Sequence, residues 1–240
     1  MFRTTLSAIA FSALMLGSAQ ALTIDTFNTD QVVSDASPGG PGLLPTGSNG
    51  VTATTVSDAA NILGEDRTVS IDQIGPGTTP STININTGTA GLLTLGNTDA
   101  FSVSNITYNG IAGGGLGGGL GVDVTEGGAD DRFALFQVSG DFPTDITITV
   151  SDGVNFASLM QASAPLGMNV PLLFDYASFI GGPVDFTMID FINIELATNN
   201  AQADLRLDFF GTTTEVAEPG VLAVLGLGLA GLGLMRRRRR

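Results

Sequence analysis

Apolar and polar residues alternate along most of the middle of the chain. The clearest case is the segment from Asp145 to Val150, where Ile146, Ile148 and Val150 fall on one side and two threonines on the other. A period of two is typical of a β-strand with one face against a core and the other in water. Gly, Asn, Asp and Pro separate further segments of this kind, which we predict to be strands: Leu22 to Phe27, Val51 to Val56, Arg67 to Ile71, Ser81 to Asn86, Phe101 to Tyr108, Arg132 to Val138, Asn155 to Gln161 and Asn169 to Phe174.

The last two strands of this region, Ile189 to Leu196 and Ala203 to Phe209, are joined by turn-rich residues. In the second strand three apolar residues alternate with three charged ones: Leu205, Leu207 and Phe209 against Asp204, Arg206 and Asp208. This predicts a terminal β-hairpin whose charged face points outward. Many strands at short spacing, without a convincing helix between them, predict an all-β fold, a single β-sandwich of the jelly-roll-like type.

The first 21 residues have the composition of an export signal. Arg3 provides a positive start, Leu6 to Leu16 is apolar, and Ala19 and Ala21 fit the small-x-small pattern that signal peptidase cleaves. We expect signal peptidase to remove this signal peptide, so that the exported chain begins at Leu22.

A second apolar segment lies at the C-terminus. Residues 221–235 contain no polar side chain, and a helix of this length is roughly 22 Å long, against about 30 Å for a bilayer's hydrocarbon core. The pattern predicts a short transmembrane helix that anchors the protein in a membrane. Positive charge at its end keeps that end in the cytoplasm, so that the preceding domain faces outward: Arg236, Arg237, Arg238, Arg239 and Arg240.

A short motif precedes this helix: Val216, Ala217, Glu218 and Pro219. The whole tail, residues 214–240, resembles the sorting signal of the PEP-CTERM proteins of Gram-negative bacteria, with Ala217 in place of the motif's first proline. The resemblance implies recognition and cleavage by exosortase, a membrane transpeptidase-like enzyme, and a role linked to exopolysaccharide, biofilm and the cell envelope. It also implies a transient inner-membrane anchor that faces the periplasm, followed by delivery to the envelope or the extracellular space.

Composition narrows the chemistry open to residues 22–213. The chain has a formal net charge of −14 and no Cys, His or Lys, so all nine of its basic residues are arginines. An acidic domain repels nucleic acid, and the missing residue types exclude Ser-His-Asp, Cys-His and Ser-Lys catalysis and imidazole-ligated zinc. Paired carboxylates could still hydrolyse glycosides, but the aromatic platforms of a sugar cleft are scarce, because Trp is absent and the tyrosines are Tyr108 and Tyr176.

Two acidic loops are candidates for calcium, which takes oxygen ligands only. They are Gly127 to Asp131, with Asp130 and Asp131, and Asp152 to Asn155, with Asp152. Neither has the ligand spacing of an EF-hand or a glycine-aspartate repeat, so solvated turns are the alternative that this spacing favours. We therefore expect no cofactor and keep calcium as a hypothesis.

Together these patterns predict an exported protein of the cell envelope or extracellular matrix with a structural or adhesive, non-enzymatic role. Its expected partners are signal peptidase, exosortase, the inner membrane and exopolysaccharide. Two alternatives stay open: a carbohydrate-binding module, and a matrix glycoside hydrolase that uses carboxylates.

Overall fold

The computed structural model describes six stretches of the chain: residues 21–35, 51–74, 79–97, 99–110, 119–163 and 170–214. In these stretches fourteen β-strands form two antiparallel sheets, and a short 3-10 helix covers Tyr176–Ser178. The predicted all-β class and the two-layer sandwich are confirmed. None of the helical structure in these stretches is long and apolar enough to cross a membrane.

The strands are numbered along the chain: β1 (Thr23–Asp25), β2 (Gln31–Asp35), β3 (Thr52–Ser57), β4 (Asp66–Ile74), β5 (Ser81–Ile85), β6 (Leu93–Gly96), β7 (Phe101–Tyr108), β8 (Arg132–Gly140), β9 (Thr144–Ser151), β10 (Phe156–Ala162), β11 (Val170–Asp175), β12 (Ile180–Gly181), β13 (Phe191–Thr198) and β14 (Asp204–Thr213). The first sheet has the order β11-β8-β14-β6-β5-β2, and β1 also pairs with β14. The second sheet has the order β12-β10-β9-β13-β7-β4-β3.

The hydrophobic core fills the space between the sheets, because inward-facing residues of the central strands are apolar. Ile146, Ile148 and Val150 of β9 are completely buried, as their alternation predicts. The register places Ile148 beside Ile194 of β13, and Ile194 beside Ile106 of β7. Neighbouring strands therefore continue one apolar layer across the second sheet.

The predicted terminal hairpin is wrong. β13 lies between β9 and β7 in the second sheet, whereas β14 lies beside β8 and β6 in the first. Residues 199–203 therefore cross from one sheet to the other. A hairpin and a crossover give the same alternation along each strand, so periodicity could not separate them.

The alternation within β14 also changes partway along the strand. Leu205 and Leu207 are buried as predicted, but the register with β8 shifts between Leu207 and Phe209. Phe209 packs edge-on against the exposed Phe136 on the outer face, with ring centroids 6.0 Å apart, and Phe210 enters the core instead. This irregularity reverses the predicted direction of Phe209.

An ion pair is buried between the sheets near β1. Arg67 and Asp25 are both completely buried, and Arg67 Nη1 donates to the two Asp25 oxygens at 3.0 and 2.8 Å. Arg67 also donates to Gln31 Oε1 and the Thr29 carbonyl oxygen, each at 2.8 Å, and the Tyr108 hydroxyl donates to Asp25 Oδ2 at 2.8 Å. Burial raises the pKa of Asp25, against the lowering effect of the Arg67 charge. The network joins β1 of the first sheet to β4 and β7 of the second.

Candidate functional site

One end of the space between the sheets is polar rather than apolar. In the second sheet, four inward-facing residues at most 6% exposed form a row across neighbouring strands: Gln73 of β4, Ser102 of β7, Thr198 of β13 and Thr144 of β9. The Ser102 amide donates to Thr198 Oγ1 at 2.8 Å, so the row is hydrogen-bonded within its sheet. Further along the same inner face, β9 and β13 are apolar, whereas β7 also has the buried Ser104 and β4 the buried Arg67.

The first sheet faces this row with buried polar residues of its own. Asn97 Nδ2 donates to Thr198 Oγ1 at 3.1 Å, and the Ser81 amide donates to Gln73 Oε1 at 3.0 Å. Asp35 Oδ2 accepts a hydrogen bond from the backbone N–H of Gln73 at 2.7 Å. These hydrogen bonds cross between the sheets, and we call the residues of both rows the polar layer: Asp35, Gln73, Ser81, Asn97, Ser102, Thr144 and Thr198.

Four buried atoms of the polar layer have no hydrogen-bond partner among the residues that the structure describes: Gln73 Nε2, Ser81 Oγ, Asn97 Oδ1 and Thr144 Oγ1. Buried polar atoms in proteins almost always have a partner, whether protein or water. This set combines an amide donor with oxygen acceptors, which suits water or another hydroxyl compound better than a metal ion.

A groove of about 610 Å³ lies outside this end of the first sheet. The floor of the groove is the outer face of four strands. Its residues alternate along each strand with residues that face the core: Ser34 of β2, Thr82 of β5, Gly96 of β6 and Asp204 of β14. The remaining lining comes from the strand ends and loops: Thr79, Pro80, Asn97, Asp141, Phe142 and Gln202. We call this surface the polar groove, and Asn97 belongs to both the groove and the polar layer.

Two carboxylate residues, Asp141 and Asp204, meet in the polar groove. The Asp204 amide donates to Asp141 Oδ1 at 2.7 Å, and the Asp141 amide donates to the Asp204 carbonyl oxygen at 3.3 Å. Burial raises the pKa of Asp204, and the charge of Asp141 raises it further, whereas a hydrogen bond from the Asn97 backbone lowers it. With the Gln202 amide and the Phe142 ring, the groove combines apolar surface with a few convergent polar groups, as binding sites do.

A larger cavity, of about 870 Å³, lies at the other end of β8 and β14. Arg132 Nε forms ion pairs there with Asp131 at 2.7 Å and Asp175 at 3.2 Å. The Tyr176 hydroxyl donates to the Val124 carbonyl oxygen at 2.8 Å. Arg132 and the Tyr176 hydroxyl thus already have partners within the protein, and the polar groove is the better candidate site.

The three predicted calcium ligands do not form one metal-binding group. Asp130 is buried and accepts a threonine hydroxyl, and Asp131 is paired with the neighbouring arginine. Asp152 accepts the backbone N–H groups of Asn155 at 2.6 Å and Asp185 at 3.0 Å, and these bonds lower its pKa. Within the six described stretches, no group of three or more acidic side chains is arranged to hold a metal ion.

Most of the predicted processing features lie outside the described residues: Ala19, the motif Val216–Pro219, the helix 221–235 and the arginines 236–240. At the predicted cleavage site, Ala21 is exposed, and Leu22 is the first of the described residues that pairs with the sandwich. The Leu22 amide donates to Thr212 Oγ1 at 2.9 Å, and the Thr212 amide donates to the Leu22 carbonyl oxygen at 2.8 Å.

The residues of the polar groove carry no sequence motif. Asp141, Phe142 and Gln202 come from connections between strands, where polar residues are expected for conformational reasons alone. The one available signal is Asp204, which the alternation of the last strand places on an outer face. Nothing along the chain indicates that these connections meet.

No protein-family model and no curated protein matches the chain. Similar solved structures include a family 11 carbohydrate-binding module from Clostridium thermocellum in complex with a beta-1,3-1,4-mixed-linked tetrasaccharide, with a TM-score of 0.37 and 12% identity over 81% of this chain and 95% of that one. Another is TmCBM61 in complex with beta-1,4-galactotriose, with a TM-score of 0.33 and 13% identity over 68% of this chain and 88% of that one. TM-scores below 0.5 at such identities transfer neither a fold family nor a ligand to this chain.

Proposed function

We propose that this chain is an exported, non-catalytic protein that binds polysaccharide in the polar groove. The observation that carries the proposal is the lining of the groove, where carboxylate and amide groups lie beside the Phe142 ring and Pro80. A sugar ring presents hydroxyls at its edge and apolar C–H groups on its faces, so it can use both kinds of surface at once.

The charge of the groove selects among polysaccharides. Among the described residues that line it, Asp141 and Asp204 are the charged ones, and both are acidic. Carboxylates accept hydrogen bonds from sugar hydroxyls, but they repel uronate or sulfate groups. The expected ligand is therefore a neutral polysaccharide, and because the groove lies on a sheet face, it can take an internal segment of the polymer.

Affinity electrophoresis in gels containing neutral polysaccharides, with the exported chain, tests the proposal. A hydrogen bond to a charged group contributes about 1.5–3 kcal/mol, so Asp204→Asn should weaken retention by roughly tenfold or more. The matched control is Asp208→Asn, which removes the same charge from the outer side of the same strand, outside the groove. Phe142→Ala should also weaken retention. Equal retention of the Asp204 and Asp208 variants would contradict the proposed site.

The pair of carboxylates in the polar groove is the observation that favours the alternative function, a glycoside hydrolase. The raised pKa of Asp204 is the property that a general acid needs, and Asp141 lies beside it as a second carboxylate. Release of reducing ends from a retained polysaccharide, lost in both Asp141→Asn and Asp204→Asn, would establish hydrolysis. We expect retention without release.

We propose separately that the chain is exported and sorted. Support comes from the sequence: the signal peptide, the transmembrane helix 221–235, the arginine cluster and the motif that precedes them. Signal peptidase, exosortase and the inner membrane are the proposed partners, and the final location is the cell envelope or extracellular matrix. Replacing Glu218 and Pro219 with alanine should leave full-length protein in the membrane. The control replaces Glu126 and Pro143, the same residue types within the sandwich, and release of the tail variant at the same shortened mass would contradict sorting by exosortase.

We also propose that the sandwich is wound in a jelly-roll-like manner. Support comes from the strand order, since β7 and β8 lie in opposite sheets, as do β10 and β11, and β13 and β14. Such a winding brings connections from distant parts of the chain together at the ends of the sheets, where the polar groove lies.

A further inference from the structure

The first strand begins beside a buried carboxylate. The backbone nitrogen of Leu22 donates to Thr212 Oγ1 at 2.9 Å, and the Thr212 hydroxyl donates in turn to Asp130 Oδ2. Thr212 is 1% exposed and Asp130 is 4% exposed, so solvent has little access to this chain of hydrogen bonds. A continuous donor path therefore runs from the nitrogen of Leu22 to the carboxylate of Asp130.

Removal of residues 1–21 changes the chemistry of that nitrogen. In the uncleaved chain it is an amide with a single N–H and no charge. Cleavage after Ala21 makes it an α-ammonium, with three N–H donors, a positive charge and an ordinary pKa of about 7.7–8.0. We propose that Thr212 and Asp130 form a binding site for this α-ammonium of Leu22, a terminal latch that is completed only when the signal peptide is removed. The proposal rests on the proposed cleavage before Leu22.

The described ionisable groups around the latch carry an excess of negative charge, which favours binding of a cation. Arg132 is already paired with Asp131 and Asp175, which lie on the exposed side of the site. Asp130 accepts the Thr212 hydroxyl, which is neutral. Among the described residues, the carboxylates of Asp130, Asp131 and Asp175 outnumber the guanidinium of Arg132, and the α-ammonium reduces that excess where the Asp130 carboxylate is buried.

Other ionisable groups pack against the same corner. The Tyr176 amide donates to the Asp131 carbonyl oxygen at 2.9 Å, and burial together with the charges of Asp130, Asp131 and Asp123 raises the pKa of the Tyr176 hydroxyl. That hydroxyl therefore stays neutral through the pH range in which an α-ammonium titrates. The charge that changes in this range is that of the terminus itself.

The backbone geometry holds Leu22 close to the latch. A Cβ on Gly211 would lie 2.6 Å from the Leu22 carbonyl oxygen, so only glycine at this position allows the two strands their present approach. Ala21, immediately before, is exposed. The last residue of the leader therefore lies outside the packed structure, and the first residue of the exported chain lies inside it.

The composition of the chain makes the terminus easy to titrate. The protein has no lysine, so the α-amine of a chain of residues 22–240 is its only primary amine. This chain can be made from a fusion whose protease leaves no added residue, and kept in mild detergent because of its apolar tail. Acetylation with acetic anhydride at a series of pH values, followed by intact mass, gives the pKa of the α-amine.

We expect the pKa of the Leu22 α-amine to lie about one unit above its ordinary range, because a nearby carboxylate favours the charged form. A chain that begins at Ala21 should titrate in the ordinary range, since its ammonium is one residue beyond the site. Asp130→Asn should lower the pKa of the Leu22 α-amine toward the ordinary range. The matched control Asp208→Asn, with the same loss of charge on an exposed face, should leave it unchanged.

Stability provides a second readout with a definite sign. A raised pKa in the folded state means that the latch contributes its full stabilisation below about pH 7.7 and loses it as the pH rises through the folded value. The melting temperature of the Leu22 chain should therefore exceed that of its N-acetylated form at pH 7 and approach it near pH 10. The comparison needs no side-chain substitution, so it does not depend on how a variant folds.

The possible results of these experiments distinguish failure of the latch from failure of the signal-peptide cleavage on which the latch rests. The N-terminal mass of the exported protein gives the cleavage site alone, and a start other than Leu22 overturns both proposals for the natural protein. A start at Leu22 with an α-amine of ordinary pKa overturns the latch and leaves the processing intact. Equal shifts in Asp130→Asn and Asp208→Asn also overturn the latch, because they would show a general effect of net charge.

Discussion

Replacing Arg67 with methionine should strongly destabilise the sandwich. Arg67 and Asp25 are both completely buried, and the guanidinium donates four hydrogen bonds, two of them to Asp25. Methionine fills much of the volume but leaves the carboxylate of Asp25 buried without a countercharge. Removing one partner of a buried ion pair costs about 3–5 kcal/mol, against a total stability of about 5–15 kcal/mol for a typical domain.

The measurement is urea unfolding of residues 22–214, followed by far-ultraviolet circular dichroism. With a slope of about 2 kcal/mol per molar urea, the expected loss lowers the midpoint by roughly 1.5–2.5 M without changing the slope. The matched control is Arg206→Met on the exposed face of β14, where the expected loss is below about 0.5 kcal/mol.

A second substitution tests whether the loss of stability in Arg67→Met comes from the unpaired charge of Asp25. Adding Asp25→Asn to Arg67→Met removes the unpaired charge. The asparagine oxygen can still accept the Phe27 backbone N–H, and the asparagine NH2 group can donate to the Tyr108 hydroxyl oxygen. The double variant should therefore regain at least about 1 kcal/mol over Arg67→Met alone. A loss below about 1 kcal/mol in Arg67→Met would refute the reasoning, and so would a double variant less stable than the single one.

Two further predictions concern the backbone and the loops. Gly211→Ala should lower the free energy of unfolding in urea by about 1–3 kcal/mol, because the added Cβ would lie 2.6 Å from the Leu22 carbonyl oxygen. The control Gly88→Ala, whose Cβ would have nothing within 4 Å, should leave the stability nearly unchanged. Equal losses in the two variants would contradict the packing argument. The melting temperature should fall as the pH is lowered from about 4 to 2. Hydrogen bonds to the ionised carboxylates hold the pKa of Asp58 at about 2 and also lower the pKa of Asp152. The stabilisation from these hydrogen bonds is therefore present above the pKa values of the two groups in the unfolded chain, and it is lost as the pH falls through their folded pKa values. A melting temperature that is constant across this range would contradict the role assigned to these turns.

The alternation of residues by itself determined the class of the fold. In β9, Ile146, Ile148 and Val150 all enter the core, because a strand has only two faces and three apolar residues at a period of two must share one. The strand from Phe101 to Tyr108 has the predicted bounds. By contrast, the alternation did not reveal Gln31–Asp35, where three polar residues, Gln31, Ser34 and Asp35, interrupt the apolar signal.

Composition also limited the chemistry without any structure. Since the chain has no Cys, His or Lys, whole classes of nucleophile and metal site were excluded from the residue types alone. What remained was carboxylate and amide chemistry, and the polar groove is built from such groups. Composition could not say which of the many acidic residues lie together, because that depends on contacts between distant parts of the chain.

Only the tertiary structure decided the pairing of strands and the positions of the sites. The choice between a hairpin and a crossover after β13, and the shift that turns Phe209 outward, depend on neighbouring strands rather than on local pattern. Asp25 and Arg67 are 42 residues apart, and Asn97 and Thr198 are 101 residues apart, so nothing in either neighbourhood indicates its partner. Alternation records whether a residue faces inward, whereas a site depends on which inward or outward residues meet, and folding alone brings them together.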